Sequence, residues 1–285
     1  NKLKKLYLVR DRFGEKPLFY YKTNECIIFG SELKIINNQS LFSLEISKKA
    51  SFYYSLLGYI PAPFTIYKDV FKVMPSQIIE IDQFKNFEES KYFSFRDIAK
   101  DEKSNYSSFK NKIKNSLNNS IRKMMIADVE VGCFLSGGVD SSLVAYLMQK
   151  NSEKKIRTFS VGFNEKEYDE SSYAKQISDS IGSNHHQIMV SSTDMLDNLE
   201  SIVNIFDEPF SDSSFIPTFL ISKLASSHVK VVLSGDGGDE IFLGYNRYIF
   251  ANKILKIKKY FPNFFRTALS MCLKKIPSNF YDTIS

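Results

Sequence analysis

The stretch Val131-Gly132-Cys133-Phe134-Leu135-Ser136-Gly137-Gly138-Val139-Asp140-Ser141-Ser142 decides how the second half of this 285-residue chain is read. The apolar run over 129–135 predicts a buried strand, and residues 141–150 predict the helix that follows it. A loop between such elements turns unbonded backbone N–H groups and the positive helix end toward one point, which suits an anion. Adjacent Gly137 and Gly138 allow close approach to phosphate oxygens, and the hydroxyls of Ser136, Ser141 and Ser142 add donors. Asp140 would repel phosphate unless a cation lies between them, which assigns it to Mg²⁺. No GxxxxGK[ST] loop occurs, so the lysine that reaches terminal phosphates is missing and chemistry at the γ-phosphate is disfavoured. Taken alone, the loop also reads as an ordinary Gly-Gly turn with a serine cap.

A second glycine-rich loop, Ser234-Gly235-Asp236-Gly237-Gly238-Asp239-Glu240, follows the apolar run over 230–233. Three acidic residues among three glycines repel one another unless neutralised, and an unpaired buried charge costs several kcal/mol. A divalent ion shared with Asp140 resolves the conflict. The alternative is an exposed acidic turn, against which the apolar Ile241-Phe242-Leu243-Gly244-Tyr245 argues.

Outward from these loops, strands over 157–161 and 187–190 alternate with helices over 170–181, through 206 and through 228. That order favours an α/β domain: a parallel sheet covered by helices on both faces, with ligands bound beyond the carboxyl ends of its strands. Phe109, Ile113, Leu117, Ile121 and Met125 recur every fourth residue and mark an amphipathic helix at its start. The first ninety residues follow another pattern, with short β-rich runs at 6–9, 18–21, 27–29 and 77–81, so that half is expected to be mainly antiparallel β. Short helices are expected over 31–36 and 48–57, the latter ended by Gly58 and Pro61-Ala62-Pro63. The predicted division is 1–95, a linker over 96–105, and 106–285.

With 43% hydrophobic and 14% aromatic residues, the chain has apolar material for real cores. No apolar run is long enough to span a membrane, and the start lacks a secretory apolar stretch, which points to the cytoplasm. Cys26, Cys133 and Cys272 are far apart and odd in number, which excludes a disulfide framework or a common zinc site. The net charge of +6 is spread along the chain without a nucleic-acid signature, and the lysines over 253–275 interleave with apolar residues as the wet face of helices. Neither nucleic acid nor membrane is therefore expected as a partner. A homodimer is the assembly to test.

The first loop resembles the PP-loop of ATP pyrophosphatases, which grip a leaving pyrophosphate while an acid attacks the α-phosphate. Together with Phe159-Ser160-Val161-Gly162-Phe163, Asp207-Glu208-Pro209-Phe210-Ser211-Asp212-Ser213-Ser214, SGDGGDE and Phe242-Leu243-Gly244-Tyr245, it resembles the glutamine-hydrolysing asparagine synthetase family in order and spacing. Arg10-Asp11-Arg12-Phe13-Gly14-Glu15-Lys16-Pro17-Leu18-Phe19-Tyr20 and Ser31-Glu32-Leu33-Lys34 resemble the last part of that family's glutaminase domain, so nearly the whole chain is covered. The resemblance implies that Leu135, Ser136, Gly137, Gly138, Asp140, Ser141 and Ser142 contact ATP, that Val161 lines the adenine pocket through its backbone, and that Ser234 and Gly235 hold the ribose and phosphate side. It further implies Mg²⁺ on Asp140 and Asp239. Asp236 stands where better-known relatives carry Glu, a position associated with forming the aspartyl adenylate.

The implied reaction is a carbon–nitrogen ligation with glutamine as nitrogen donor. The side-chain carboxylate of aspartate is adenylated and glutamine-derived ammonia then displaces AMP. A sugar acid of a surface polysaccharide is the alternative acceptor. A nucleotide sensor would not require Ser136, Gly137, Gly138, Asp140 and Asp239 intact, and a tRNA-modifying enzyme would need an RNA-binding appendage. The family's N-terminal cysteine nucleophile and C-terminal lysine have no counterpart here, so the chain is expected to be an internal fragment. Asp207, Glu208 and Asp212 read equally as substrate pocket or as scaffold. His185, His186 and His228 read as structural and Cys133 as a buried packing thiol; Tyr245, Arg247 and Tyr248, one to two helical turns after the second loop, read more readily as structural than as substrate contacts.

Overall fold

Period-two alternation in the first ninety residues produces antiparallel ladders. The computed structural model describes residues 4–37, 43–83, 86–98, 105–165, 167 and 169–260. In chain order the first half contains β1 (Leu6–Val9), β2 (Phe19–Lys22), β3 (Ile27–Gly30), α1 (Lys34–Asn37), α2 (Lys48–Leu57), β4 (Val70–Lys72), β5 (Gln77–Ile81), β6 (Phe87–Lys91) and α3 (Phe95–Ile98). The second half contains α4 (Tyr106–Met124), β7 (Val131–Phe134), α5 (Val139–Lys150), β8 (Arg157–Phe163), α6 (Ser171–Ile181), β9 (Asn184–Val190), α7 (Ser192–Asp197), α8 (Leu199–Ile205), α9 (Phe215–Ser226), β10 (Val231–Leu233), α10 (Gly238–Phe242) and α11 (Asn246–Tyr260). Residues 99–104, within the expected linker, and 261–285, which include Cys272 and much of the basic stretch over 253–275, lie outside the described residues.

Packing divides the chain into two compact units that are not consecutive stretches. One comprises Asn1–Met124, Val161–Asp169 and Gln187–His228, and the other Met125–Ser160, Glu170–His186 and Val229–Ser285. Segments of the second half are thus grouped with the first.

The first unit holds two three-stranded antiparallel sheets, ordered β1-β5-β6 and β3-β2-β4. Leu8, Val73, Ile79 and Ile81 form one buried cluster, with Leu6, Leu18 and Phe87 packed on it. Phe19, Leu33, Ile36 and Val70 form another. Side chains alternate across a strand, so Leu8 points inward while Tyr7 and Val9 stay exposed. Helix α2 starts on the Ser47 side chain, which accepts from Ala50 N, and ends at Gly58 in the left-handed region, as expected for these residue types. In α4 the apolar stripe is only partly used: Ile121 is buried and Phe109 is exposed.

The second unit holds β7, β10 and the first residues of β8 and β9 from the parallel sheet ordered β10-β7-β8-β9, in which β7 is in parallel register with β10 and β8. This is the α/β architecture the alternation of elements predicts. Phe159 and Met148 are fully buried at its core. Gly132 is required there, because a Cβ would lie 2.7 Å from the Phe159 ring. His185 lies beneath this core, bonding Thr158 Oγ1 at 2.9 Å through Nδ1 and Ser160 Oγ at 3.1 Å through Nε2. Burial, reinforced by Lys175, lowers its pKa. His186 stacks on Phe159 at 5.3 Å. His228 bonds Ser227 and the carbonyl of Leu224 at the end of α9. Among the described residues no helix is long and apolar enough to cross a membrane.

Candidate functional site

Because β7 and β10 are adjacent and parallel, with Cys133 opposite Leu233, the chain leaves both strands at the same edge of the sheet. The two glycine loops therefore begin side by side, at the carboxyl ends where α/β sheets bind ligands. Cys133 beneath them is fully buried and its thiol is pushed up to about 12 by that burial, so it is an inert packing group. Leu135 is also fully buried and its N–H donates to the carbonyl of Phe159 at 2.8 Å. Its side chain belongs to the core, so any contact with a nucleotide falls to its backbone.

The first loop is braced by its own hydroxyls. Ser136 N–H donates to Ser141 Oγ at 3.2 Å, the two hydroxyls bond at 2.9 Å, and Ser141 Oγ donates to the carbonyl of Gly138 at 3.2 Å. Gly138 N–H donates to Ser136 Oγ at 3.3 Å. Ser136 and Ser141 thus shape the turn before they can offer anything to a ligand. Gly137 sits at φ +87, and a Cβ there would lie 2.7 Å from Tyr173 Cβ and 2.8 Å from Ala174 N. Only glycine lets the loop rest on the start of α6. Gly138 is the N-cap of α5 and, lacking a side chain, leaves that helix without a side-chain cap. Ser142 Oγ is buried with no hydrogen-bond partner, a cost of about 1–3 kcal/mol that a polar ligand would relieve.

The second loop packs onto the first. A Cβ on Gly235 would meet Ser141 N at 2.7 Å, and one on Gly238 would meet the Asp140 carboxylate at 2.6 Å. Gly237, at φ +85, makes the turn between them. Ser234 Oγ donates to Asp236 Oδ2 at 2.7 Å, which orients that exposed carboxylate. Asp239 lies with its carboxylate against Gly244. Tyr245 OH donates to Glu240 at 3.0 Å, a bond that raises the phenol's pKa, and Arg247 stacks 4.1 Å over the Tyr245 ring. The apolar residues after the loop differ from expectation. Ile241, Phe242 and Leu243 are mostly exposed, because α10 is a five-residue helix with no buried residue.

Sequence reading singled out Gly235 but not Gly238, Tyr173 or Ala174, which shape the same mouth. The glycine spacing hinted at Gly238. Nothing in the sequence marks Tyr173 and Ala174, since their role is a contact between non-adjacent segments. Val161 is half-buried on β8, in the first of the two units.

For the open trio the structure decides in favour of scaffold at two members. Asp207 accepts from the backbone N–H groups of Leu33 at 2.6 Å and Lys34 at 3.3 Å. Glu208 accepts from Ile66 N–H at 2.8 Å and pairs with Lys72 at 2.5 Å. Asp212 caps the turn into α9 through Ser214 N–H at 2.8 Å, and its carboxyl pKa is lowered by the hydrogen bonds from Ser214.

The first loop fits the phosphates of a nucleotide: an uncapped helix start, a glycine with no room for a side chain, and an unsatisfied buried hydroxyl. For a cation, Asp140 and Asp239 supply hard oxygen donors on touching loops, while no cluster of three or more metal-ligating side chains occurs among the described residues. Such a donor set suits an ion that completes its shell with phosphate and water.

A family model described as asparagine synthase matches residues 112–279, more than half of the chain, and one described as glutamine amidotransferase domain matches residues 1–93. A putative glutamine-hydrolysing asparagine synthetase 2 of Methanocaldococcus jannaschii is 39% identical over 92% of this chain and 51% of its own length. Glutamine-hydrolysing asparagine synthetase 1 of Bacillus subtilis is 35% identical over 85% of this chain and 38% of its own length. The chain thus spans about half or less of the curated relatives it matches. Among solved structures, an NH3-dependent NAD synthetase from Campylobacter jejuni is 16% identical with a TM-score of 0.35, over 48% of this chain and 60% of its own, a likeness too slight to carry an argument. Taken with the paired loops at the sheet edge, the family-model match shows that the chain belongs to the asparagine synthase family.

Proposed function

We propose that the protein binds Mg-ATP at the paired loops and adenylates a carboxylic acid, L-aspartate foremost, releasing pyrophosphate. Ammonia derived from glutamine then displaces AMP and leaves the amide. The observation that carries this reading is the seating of Gly235 and Gly238 directly on Ser141 and Asp140, which makes the two loops one site. Backbone N–H groups at the start of α5 hold the departing pyrophosphate as its charge develops, an arrangement that stabilises a transition state without reorganisation. Asp140 and Asp239 would hold Mg²⁺, whose bound charge offsets that of the phosphates. Ser234 orients Asp236 beside the acid to be activated.

The family matches at 1–93 and 112–279 support a boundary within 96–105, glutaminase part before it and synthetase part after it. The cytoplasm is the proposed compartment and a homodimer the proposed assembly. The test is pyrophosphate release by the full-length enzyme with ATP and a panel of acids that includes aspartate and uronic acids. Aspartate-dependent release that is abolished in Asp140→Ala supports the reading. Release that no acid stimulates, or that Asp140→Ala leaves untouched, sinks it.

A further inference from the structure

Residues 206–211 lie in the chain between β9 and β10, the two outer strands of the parallel sheet, yet the groups that bind their charges belong to the antiparallel half. Asp207 accepts the backbone N–H groups at the start of α1, with Lys34 Nζ 3.9 Å away. Glu208 receives Ile66 N–H on one oxygen and Lys72 on the other, and Lys72 also donates to the carbonyl of Ile60 at 2.7 Å. Ser211 N–H donates to the carbonyl of Gly58, the residue that ends α2, at 2.8 Å. The side chains of Lys72 and Glu208 are only 16% and 14% exposed, so this pair is largely dehydrated. Cavities of about 340 and 450 Å³ are both lined by residues Phe206 to Phe210.

A dehydrated ion pair is a poor source of stability, because apolar residues of like volume would do as well or better, but its geometry admits one arrangement. Here that arrangement sets where the chain enters α9, and through α9 and β10 it leads to Ser234 and the second loop. We infer that Lys72 and Glu208 are positioning residues that couple glutamine use in the antiparallel half to amide formation at the paired loops. This rests on the function proposed above. Neither residue touches the reacting groups; the pair fixes the segment through which the first half holds the chain leading to the nucleotide site.

The test measures three quantities in the full-length enzyme: glutamine hydrolysed, amide formed from glutamine, and amide formed from added ammonium salt. In Lys72→Met and in the near-isosteric Glu208→Gln, amide formed per glutamine hydrolysed is expected to fall roughly 3- to 30-fold. Glutamine hydrolysis and ammonium-supported synthesis should stay near their wild-type rates, and Lys72→Arg should restore the ratio. A purely structural pair would lower all three rates together. An unchanged ratio in both folded variants, or a loss shared by the partial reactions, overturns the coupling. Wild-type enzyme that forms no amide even from ammonium would instead sink the functional reading on which it depends.

Discussion

Asp207 with Glu208, and Asp236 with Asp239 and Glu240, are the same chemical groups in opposite settings. In the first cluster the carboxylates are matched by backbone N–H groups and a lysine, and little of them meets solvent. In the second, Asp236 and Glu240 are exposed, each bonded by a single hydroxyl donor, and the neighbouring glycines press against Asp140. Matched carboxylates fix how segments are held; exposed carboxylates crowded at a sheet edge favour a cation. The sequence assigns the second cluster to a cation and leaves the first open between substrate pocket and scaffold; the hydrogen bonds to Leu33 and Ile66 are what close that choice.

The contrast can be broken most directly at Glu208. Glu208→Ala leaves Lys72 buried without its counter-charge and should cost about 3–5 kcal/mol of stability in denaturant titration. Ammonium-supported synthesis by the folded fraction should survive. If stability were unchanged, the first cluster would not be the scaffold its hydrogen bonds suggest. The converse experiment is Asp140→Ala or Asp239→Ala, expected to lower acid-dependent pyrophosphate release about 100-fold while leaving the denaturation midpoint near wild type. Loss of stability in step with activity would erase the distinction between the clusters.

A smaller effect is expected where the loop rests on the fold. Gly137→Ala forces a side chain into the left-handed region against Tyr173 and the backbone of Ala174, and should destabilise by about 1–3 kcal/mol while weakening ATP binding. Unaltered ATP affinity by calorimetry would show that the loop tolerates displacement from α6.

The smallest concerns pH. His185 has its folded pKa lowered below the ordinary 6.5 by burial and by Lys175, so the unfolded chain binds its proton first. Stability from this group is therefore complete above 6.5 and is lost as pH falls through that value toward the lowered folded one. Thermal midpoints across that window should drop more in wild type than in His185→Asn; parallel curves would show that His185 is not the group responsible.

Much of the fold was legible because its signals are local. Strands β1 and β5 and helix α2 occupy the spans that alternation and capping residues indicate, and α6 ends at Gly182 in the left-handed region. Strands β4 and β6 carry no such local signal, for opposite reasons. The first has three residues, too few to show a period, and the second, Phe87-Glu88-Glu89-Ser90-Lys91, is an edge strand with exposed polar residues on both faces. The exposed apolar residues of α10 misled because composition reports what a segment would gain by burial, not whether anything covers it.

For the site, the ingredients can be read along the chain: two glycine loops after apolar strands, their serines, and the aspartates Asp140, Asp236 and Asp239. Those follow from chain-local rules, since strand, turn and helix start are contiguous and a glycine's freedom needs no distant partner. Packing is what brings the loops into contact, commits the hydroxyls of Ser136 and Ser141 to the turn, and sets Asp207 and Glu208 against the antiparallel half. The physical reason is one of range. A hydrogen bond spanning 174 or 142 positions of chain, as at Leu33–Asp207 and Ile66–Glu208, leaves no periodicity to read, because it is fixed by how segments pack rather than by the residues beside it.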